Sequence, residues 1–358
     1  MAESQTSPSS PLDSFDFRPA WWVPGPHVQT IWGSVTRSRR LVRFRRERLE
    51  APDGDELVLD NVDAPLERRD VAAGEGRRER PVRLILLHGL EGSSYSVYVQ
   101  GLAREAERRG WNVTAFNFRS CARDPADYRR MLPNRRARLY HSGETEDLDF
   151  VIRTLALRAA AAATGETLLA AGTSLGGNVL LKWLGEHPEQ REIRAAAALS
   201  TPYDLAASDR QLDSAIGRLY VRNFLRTLRE KALSATRRFP EAAGRIDVPR
   251  MLAAQTFWEF DDAANAPLHG FAGADDYYAR ASSIGFLARV TTPTLCLSAA
   301  DDPFLPSEAL NHAREAASPA IEFRVTPRGG HIGFVGGPPW RPRYWAEESA
   351  VRWLEERL

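Results

Sequence analysis

A chain of 358 residues, 43% hydrophobic and 27% charged, is long enough to bury a sizeable core and has the make-up of an ordinary soluble globular protein. Its formal net charge of +1 supplies no electrostatic case for nucleic acid or an anionic membrane as a partner. Having only two cysteines, Cys121 and Cys296, argues against a disulfide framework or a cysteine-ligated metal and suits a reducing cytoplasm.

The opening MAESQTSPSSPLDS lacks the positive start and apolar centre of a signal peptide, and residues 1–17 read as a disordered lead-in. No stretch approaches the roughly 20 apolar residues of a membrane span, so no stable membrane insertion is expected. From about residue 40 strand-like and helix-like segments alternate, which predicts an α/β fold around a mostly parallel sheet with helices on both faces. RLVRFRRERL and ELVLDNV flank the turn-forming PDGD and predict a hairpin at a sheet edge. The polar PLERRDVAAGEGRRER leads to the strand VRLILLHG, then to a helical pattern stopped by Gly110, then to the strand WNVTAFNFR. After a long loop at 119–143, a helix is predicted from Glu144. Its early acids suit a helix N-terminus, and Ser142 or Thr145 is the expected cap. The strand ETLLAAGT, a helix from near Leu175 and the strand AAAALS follow. Between about 203 and 288 strand-like runs are missing, which predicts a helical cap insertion over one end of the sheet and not a separate domain. TPTLCLSAA, a helix from about 306, IEFRVT and a final helix complete the alternation.

Gly172-Thr173-Ser174-Leu175-Gly176 matches G-x-S-x-G, the nucleophile elbow, at the point where a strand turns into a helix. The competing phosphate-loop reading fails, because neither G-x-x-x-x-G-K-S/T nor a G-x-G-x-x-G after a strand is present. A serine hydroxyl needs a base, and the base needs an orienting acid. His331 in TPRGGHIGF follows a predicted strand and serves as the candidate base, whereas His312 falls inside a helix. The candidate acid is Asp301 or Asp302 at the end of TLCLSAA. Asp302 stands four residues before Pro306 and is preferred; Asp301 reads as a turn cap. A developing oxyanion would take the N–H groups of Leu175 and of Leu90 in HGLEGS, where Gly89 and Gly92 allow close approach. His88 reads as the residue that holds this loop in shape.

With the elbow, HGLEG, DDPF and GGHIGF in register, the chain resembles the YheT-type branch of the α/β-hydrolase superfamily, which includes bacterial hydrolases and eukaryotic ABHD lipase-like proteins. The resemblance extends through HVQTIWG, YHSGETED, SLGGN, EFDDAANAPLHGF and DDYYARAS. It implies an α/β-hydrolase domain over 18–358 and a carboxylic-ester hydrolase, esterase or lipase-like, with Ser174 as nucleophile, Asp302 as acid and His331 as base. No cofactor or metal is required. The chain departs from the branch at Thr173, in RSCARD, and in lacking the membrane anchor of the eukaryotic members. The last departure implies a cytoplasmic enzyme acting on a small-molecule ester.

Three rival readings accompany this one. An acyltransferase would use the same three residues, a binding protein would use the fold without the chemistry, and a nicotinamide oxidoreductase would need a fingerprint loop that is missing. EFDDAANAPLHGF carries paired acids and a histidine but lacks a second ligand cluster, so it reads as a buried polar link between cap and core. YRRMLPNRRAR reads as a solvated loop. The aromatics of LYVRNFL and QTFWEF are expected to pack the cap, some of them lining an acyl pocket.

Overall fold

Strands buried at nearly every position need cover on both faces, and the central strands of this chain are of that kind. The computed structural model describes residues 17–64, 80–162 and 165–358. The lead-in and the polar stretch at 65–80 lie outside the described residues except for Phe17 and Arg80. Phe17 packs against Phe334 and Trp345, with ring centroids 5.6 and 5.4 Å away.

Helix α1 (Gly25–Thr36) precedes the hairpin β1 (Arg45–Glu50) and β2 (Glu56–Val62). Then come β3 (Val82–Leu87), α2 (Val97–Arg108), β4 (Asn112–Asn117), α3 (Glu146–Ala161), β5 (Thr167–Thr173), α4 (Leu175–Glu186) and β6 (Ile193–Leu199). Eight strands make one sheet in the order β1-β2-β4-β3-β5-β6-β7-β8, with β7 at Thr294–Ala299 and β8 at Ile321–Thr326. Pairing is antiparallel from β1 to β2 and from β2 to β4, and parallel across the rest. The expected edge hairpin and mostly parallel sheet are both present.

The period of two along each strand divides the core into two layers. Ile85, Leu87, Leu168 and Ala170 face α3 and α4. Leu84, Leu86, Leu169 and Ala171 face the opposite way, toward α2 and the C-terminal helix Trp345–Glu355. Alanines crowd β5 and β6, and their small side chains bring the helices close to the sheet centre, where Ser174 emerges.

Residues 205–289, the segment read from the sequence as a cap, form a series of helices joined by short turns and contain no strand. They run through α5 (Leu205–Gln211), α6 (Ala215–Arg238), α7 (Pro240–Arg245), α8 (Val248–Ala253) and α9 (Phe257–Phe260). A π-turn at Asp261–Asn265 and short helical turns then lead to the helix Ala274–Ala281. The cap has its own apolar cluster, centred on Leu225, Ala232, Met251 and Phe260.

Two local expectations need correction. Helix α3 begins at Glu146, two residues later than expected, and neither Ser142 nor Thr145 caps it through its hydroxyl. Instead the Glu144 carboxylate accepts from the Asp147 N–H at 3.4 Å, and the Thr145 hydroxyl receives Lys182 Nζ at 3.3 Å. Helix α2 ends as a glycine-terminated helix should: Gly110 takes φ +74° just past the capping Arg109, and the Trp111 N–H closes back on Ala106.

Candidate active site

The site starts from a strained turn. Ser174 follows β5 with φ +53° and ψ −122°, a conformation that non-glycine residues adopt only where their surroundings impose it. Its N–H donates to Leu199 O at 2.8 Å and its carbonyl accepts from Gly177 and Asn178, so sheet and helix fix it from both sides. A Cβ at position 172 would lie 2.3 Å from Gly176 O, and one at 176 would lie 2.6 Å from the carbonyl oxygens of Leu87 and His88. The two motif glycines are therefore required by the approach of strand, helix and neighbouring loop.

His331 reaches this serine from the loop after β8. Its Nε2 is 3.0 Å from Ser174 Oγ, and its Nδ1 is 2.9 and 3.1 Å from the two Asp302 oxygens. A carboxylate can only accept, which assigns the Nδ1 proton to the Asp302 bond and leaves Nε2 to accept from the serine hydroxyl. The imidazole and the carboxylate are both buried, and Phe304 stacks on the imidazole at 4.3 Å. The Phe304 N–H also donates to Asp302 Oδ1 at 2.9 Å, which orients the acid. Asp301 points elsewhere and accepts from the Gly330 N–H at 2.9 Å, steadying the histidine loop. Of the two candidates, Asp302 is the one that meets His331. His312 lies on the surface of the helix Ser307–Ala316.

Sequence reasoning missed the role of α1, the helix built from HVQTIWG. Thr30 Oγ1 accepts the His331 N–H at 2.9 Å, while Gln29 accepts from Val335 N at 2.7 Å and donates to Val335 O at 3.1 Å. Gly330, Ile332 and Phe334 all take positive φ, so this loop depends on such outside bonds. The one available signal was an amide in mid-helix among large apolar residues, and Gln29 is only 2% exposed.

Leu90 and Leu175 line the same cavity as Ser174, and among the described residues neither backbone N–H has an acceptor. The loop carrying Leu90 is held on each side. Gly89 N donates to the Tyr98 hydroxyl and Glu91 N to the Tyr140 hydroxyl, both at 2.8 Å. Burial pushes the His88 imidazole down to about 3 and keeps it neutral. Its ring bonds to Gly89 O at 2.8 Å and accepts from Phe118 N at 3.1 Å, a scaffolding arrangement without contact to the serine.

The cavity measures about 760 Å³ and runs from α1 under the cap. Tyr220, Phe224, Phe257 and Phe260 from the two aromatic segments line it, together with Leu212, Leu228 and Ile246. Trp258 turns outward to bond Asp275. In EFDDAANAPLHGF, Asp261 accepts from the Tyr278 hydroxyl at 2.9 Å and from Asn265 at 3.2 Å, and burial pushes its carboxyl up to about 7. His269 bonds Asn265 O and Leu139 O, tying the cap to the loop before α3. Among the described residues no three His, Cys, Asp or Glu gather as metal ligands, and no helix is long and apolar enough to cross a membrane.

The arginine-bearing loops are more structured than expected. Arg119 of RSCARD is buried and bonds Asp53, Asp55 and Asp147 at 2.7–2.8 Å. Within YRRMLPNRRAR, Arg138 holds Glu144 and Glu146, and Arg135 holds Glu56, while Arg129 and Arg130 stay solvated.

Comparison with known proteins bears on the family and the fold. Residues 82–338 match the family model described as alpha/beta hydrolase fold. YheT of Escherichia coli strain K12, a protein named as an esterase, is 34% identical over 100% of this chain and 98% of its own length. Phospholipase ABHD3 of Bos taurus is 30% identical over 91% of this chain and 75% of its own length. Among solved structures, the esterase EaEST from Exiguobacterium antarcticum superposes with a TM-score of 0.51 at 16% identity, covering 87% of this chain and 100% of that one, which speaks for the fold alone.

Proposed function

Because the chain belongs to the YheT and ABHD branch of the α/β-hydrolase superfamily and is a hydrolase, we propose that it is a serine esterase cleaving carboxylic esters through Ser174, His331 and Asp302. The observation that carries this reading is the unbroken line of hydrogen bonds from Asp302 through His331 to Ser174 Oγ. His331 Nε2 takes the hydroxyl proton as Ser174 Oγ attacks the ester carbonyl, and Asp302 stabilises the imidazolium that results. The tetrahedral oxyanion is received by the N–H groups of Leu90 and Leu175, which are free to donate. The loss of one such donor typically costs on the order of 10² to 10³ in rate. The imidazolium then gives its proton to the departing alcohol, and water repeats the cycle on the acyl-enzyme.

The substrate is a small-molecule ester with a short to medium acyl chain. A cavity of about 760 Å³ is of the size that small-molecule sites have. Its walls under the cap include Leu212, Phe224, Leu228, Ile246, Phe257 and Phe260, which suit an acyl chain, interspersed with polar groups such as Asp209, Asn223 and Asp261. We assign the enzyme to the cytoplasm, where two buried cysteines without a disulfide are at home. The chemistry needs no cofactor, metal or nucleic acid.

The test is turnover of p-nitrophenyl esters of increasing chain length by the wild type and by Ser174→Ala. The wild type should hydrolyse the shorter members, and the variant should fold and lose turnover. Retained turnover in the variant would remove Ser174 from the mechanism. Product analysis with a competing alcohol separates the acyltransferase alternative, which would return the transesterified product in preference to the free acid.

A further inference from the structure

One buried ion pair joins the cap to the loop that carries the Leu90 N–H. Lys231, on α6, sets its Nζ 2.6 Å from Glu91 Oε1 and 3.1 Å from Cys121 Sγ, over the face of Tyr140. The Lys231 and Glu91 side chains are only 4% and 6% exposed. Glu91 takes φ +55°, a backbone state that an L residue leaves unless it is held. The Tyr140 hydroxyl is the second hold: it accepts the Glu91 N–H at 2.8 Å and donates to Glu91 Oε1 at 2.7 Å. Burial, the largest single influence, would raise the Glu91 carboxyl, but the charge and hydrogen bond of Lys231 together with hydrogen bonds from Thr227 and Tyr140 outweigh it, and the group stays below its ordinary value.

A buried ion pair is a poor way to gain stability, since apolar contact between cap and core would serve as well. What the pair adds is direction: it fixes one carboxylate oxygen of the residue that follows Leu90. We infer that Lys231 is a positioning residue, which acts from the cap through Glu91 to hold the Leu90 N–H where the oxyanion forms. The inference rests on the esterase reading of the same site. Without Lys231 the Glu91 carboxyl loses the partner that fixes Oε1, and it relieves its buried charge by taking up a proton or by turning toward water. The strained backbone at 91 then relaxes and draws Leu90 with it.

Lys231 also lines the cavity, so direct contact with substrate is the rival role. The two roles separate in steady-state kinetics of the full chain with p-nitrophenyl butyrate. For Lys231→Met the expected result is a kcat lowered about tenfold or more with KM nearly unchanged, since a misplacement of about 1 Å can cost about 10²-fold. Lys231→Arg, which restores the cation, should recover most of the loss. Glu91→Gln should lower kcat as well, and the double variant Lys231→Met/Glu91→Gln should lose little more than the worse single one, because both act through one contact. Hydrogen exchange of residues 88–93 should quicken in Lys231→Met while its melting temperature stays that of a folded protein.

An unchanged kcat in Lys231→Met, additive losses in the double variant, or a rise in KM at constant kcat would overturn the inference, the last by making Lys231 a substrate contact. If Lys231→Met fails to fold, Glu91→Gln and Lys231→Arg carry the same criteria. Should the wild type show no ester turnover, the esterase reading fails by itself. Exchange at 88–93 then decides the positioning claim, and unaltered protection in Lys231→Met would contradict it.

Discussion

At residue 302 the choice between two adjacent acids is decided by direction. Asp302 turns into the protein to meet Nδ1 of His331, while Asp301 reaches the backbone of Gly330. Asp302→Asn should therefore cut kcat by on the order of 10⁴, because an amide that donates to Nδ1 imposes the wrong tautomer on the histidine. Asp301→Asn keeps an acceptor for Gly330 N and should stay within about tenfold of wild type, as the loss of one ordinary hydrogen bond would. Equal losses from both would contradict the assignment. Asp261 gives a pH test independent of catalysis. Its carboxyl titrates near 7 when folded, against about 4 for an unfolded chain. Between those values the native state holds a proton that the unfolded state has released, so this contribution to stability is complete below about pH 4 and is lost as pH rises toward 7. Asp261→Asn removes the dependence, and its melting temperature should gain on the wild type from pH 5 to about pH 7 and level off above it. A constant difference across that range would refute the shift.

At the scale of elements, the elbow shows how a local pattern becomes legible. G-x-S-x-G could be read because every requirement on it lies within five residues and one strand-to-helix turn. Gly176→Ala, whose Cβ would press on the carbonyl oxygens of Leu87 and His88, should destabilise the fold by about 1–3 kcal/mol in urea titrations. A midpoint equal to the wild type would show that β3 and α4 are not so closely apposed. Helix α1 could not be read in the same way. Its partners, such as Val335, lie some 300 residues downstream, and no short-range rule says that a glutamine will brace a histidine loop. Lys231 was hidden for a related reason: in RNFLRTLREKAL it resembles its solvated neighbours Arg226 and Glu230, and only the docking of the cap on Tyr140 buries it. Arg119 likewise reads as a loop cation, yet it gathers carboxylates from the β1–β2 turn and from α3. Arg119→Met would leave those carboxylates without their cation and should cost about 3–5 kcal/mol. A variant as stable as wild type would mean that the cluster is hydrated and slack.

At the scale of the whole molecule, sheet and cap divide the work. The sheet brings Ser174, Asp302 and His331 to the ends of three separate strands, and their chain order together with the alternation of elements made that arrangement readable in advance. The cap supplies a large share of the cavity wall, and its shape could not be read, because helical periodicity says which residues face inward but not how far the helices stand from the sheet. On the proposed reading, acyl-chain preference would belong to the cap and the bond-breaking chemistry to the sheet. That chemistry is read most simply by labelling with a fluorophosphonate, which reacts with a serine activated by a neighbouring base. One adduct per chain is expected, found by mass spectrometry on Ser174, absent in Ser174→Ala and strongly slowed in His331→Ala. An unlabelled wild type, or an adduct that persists in Ser174→Ala, would contradict it.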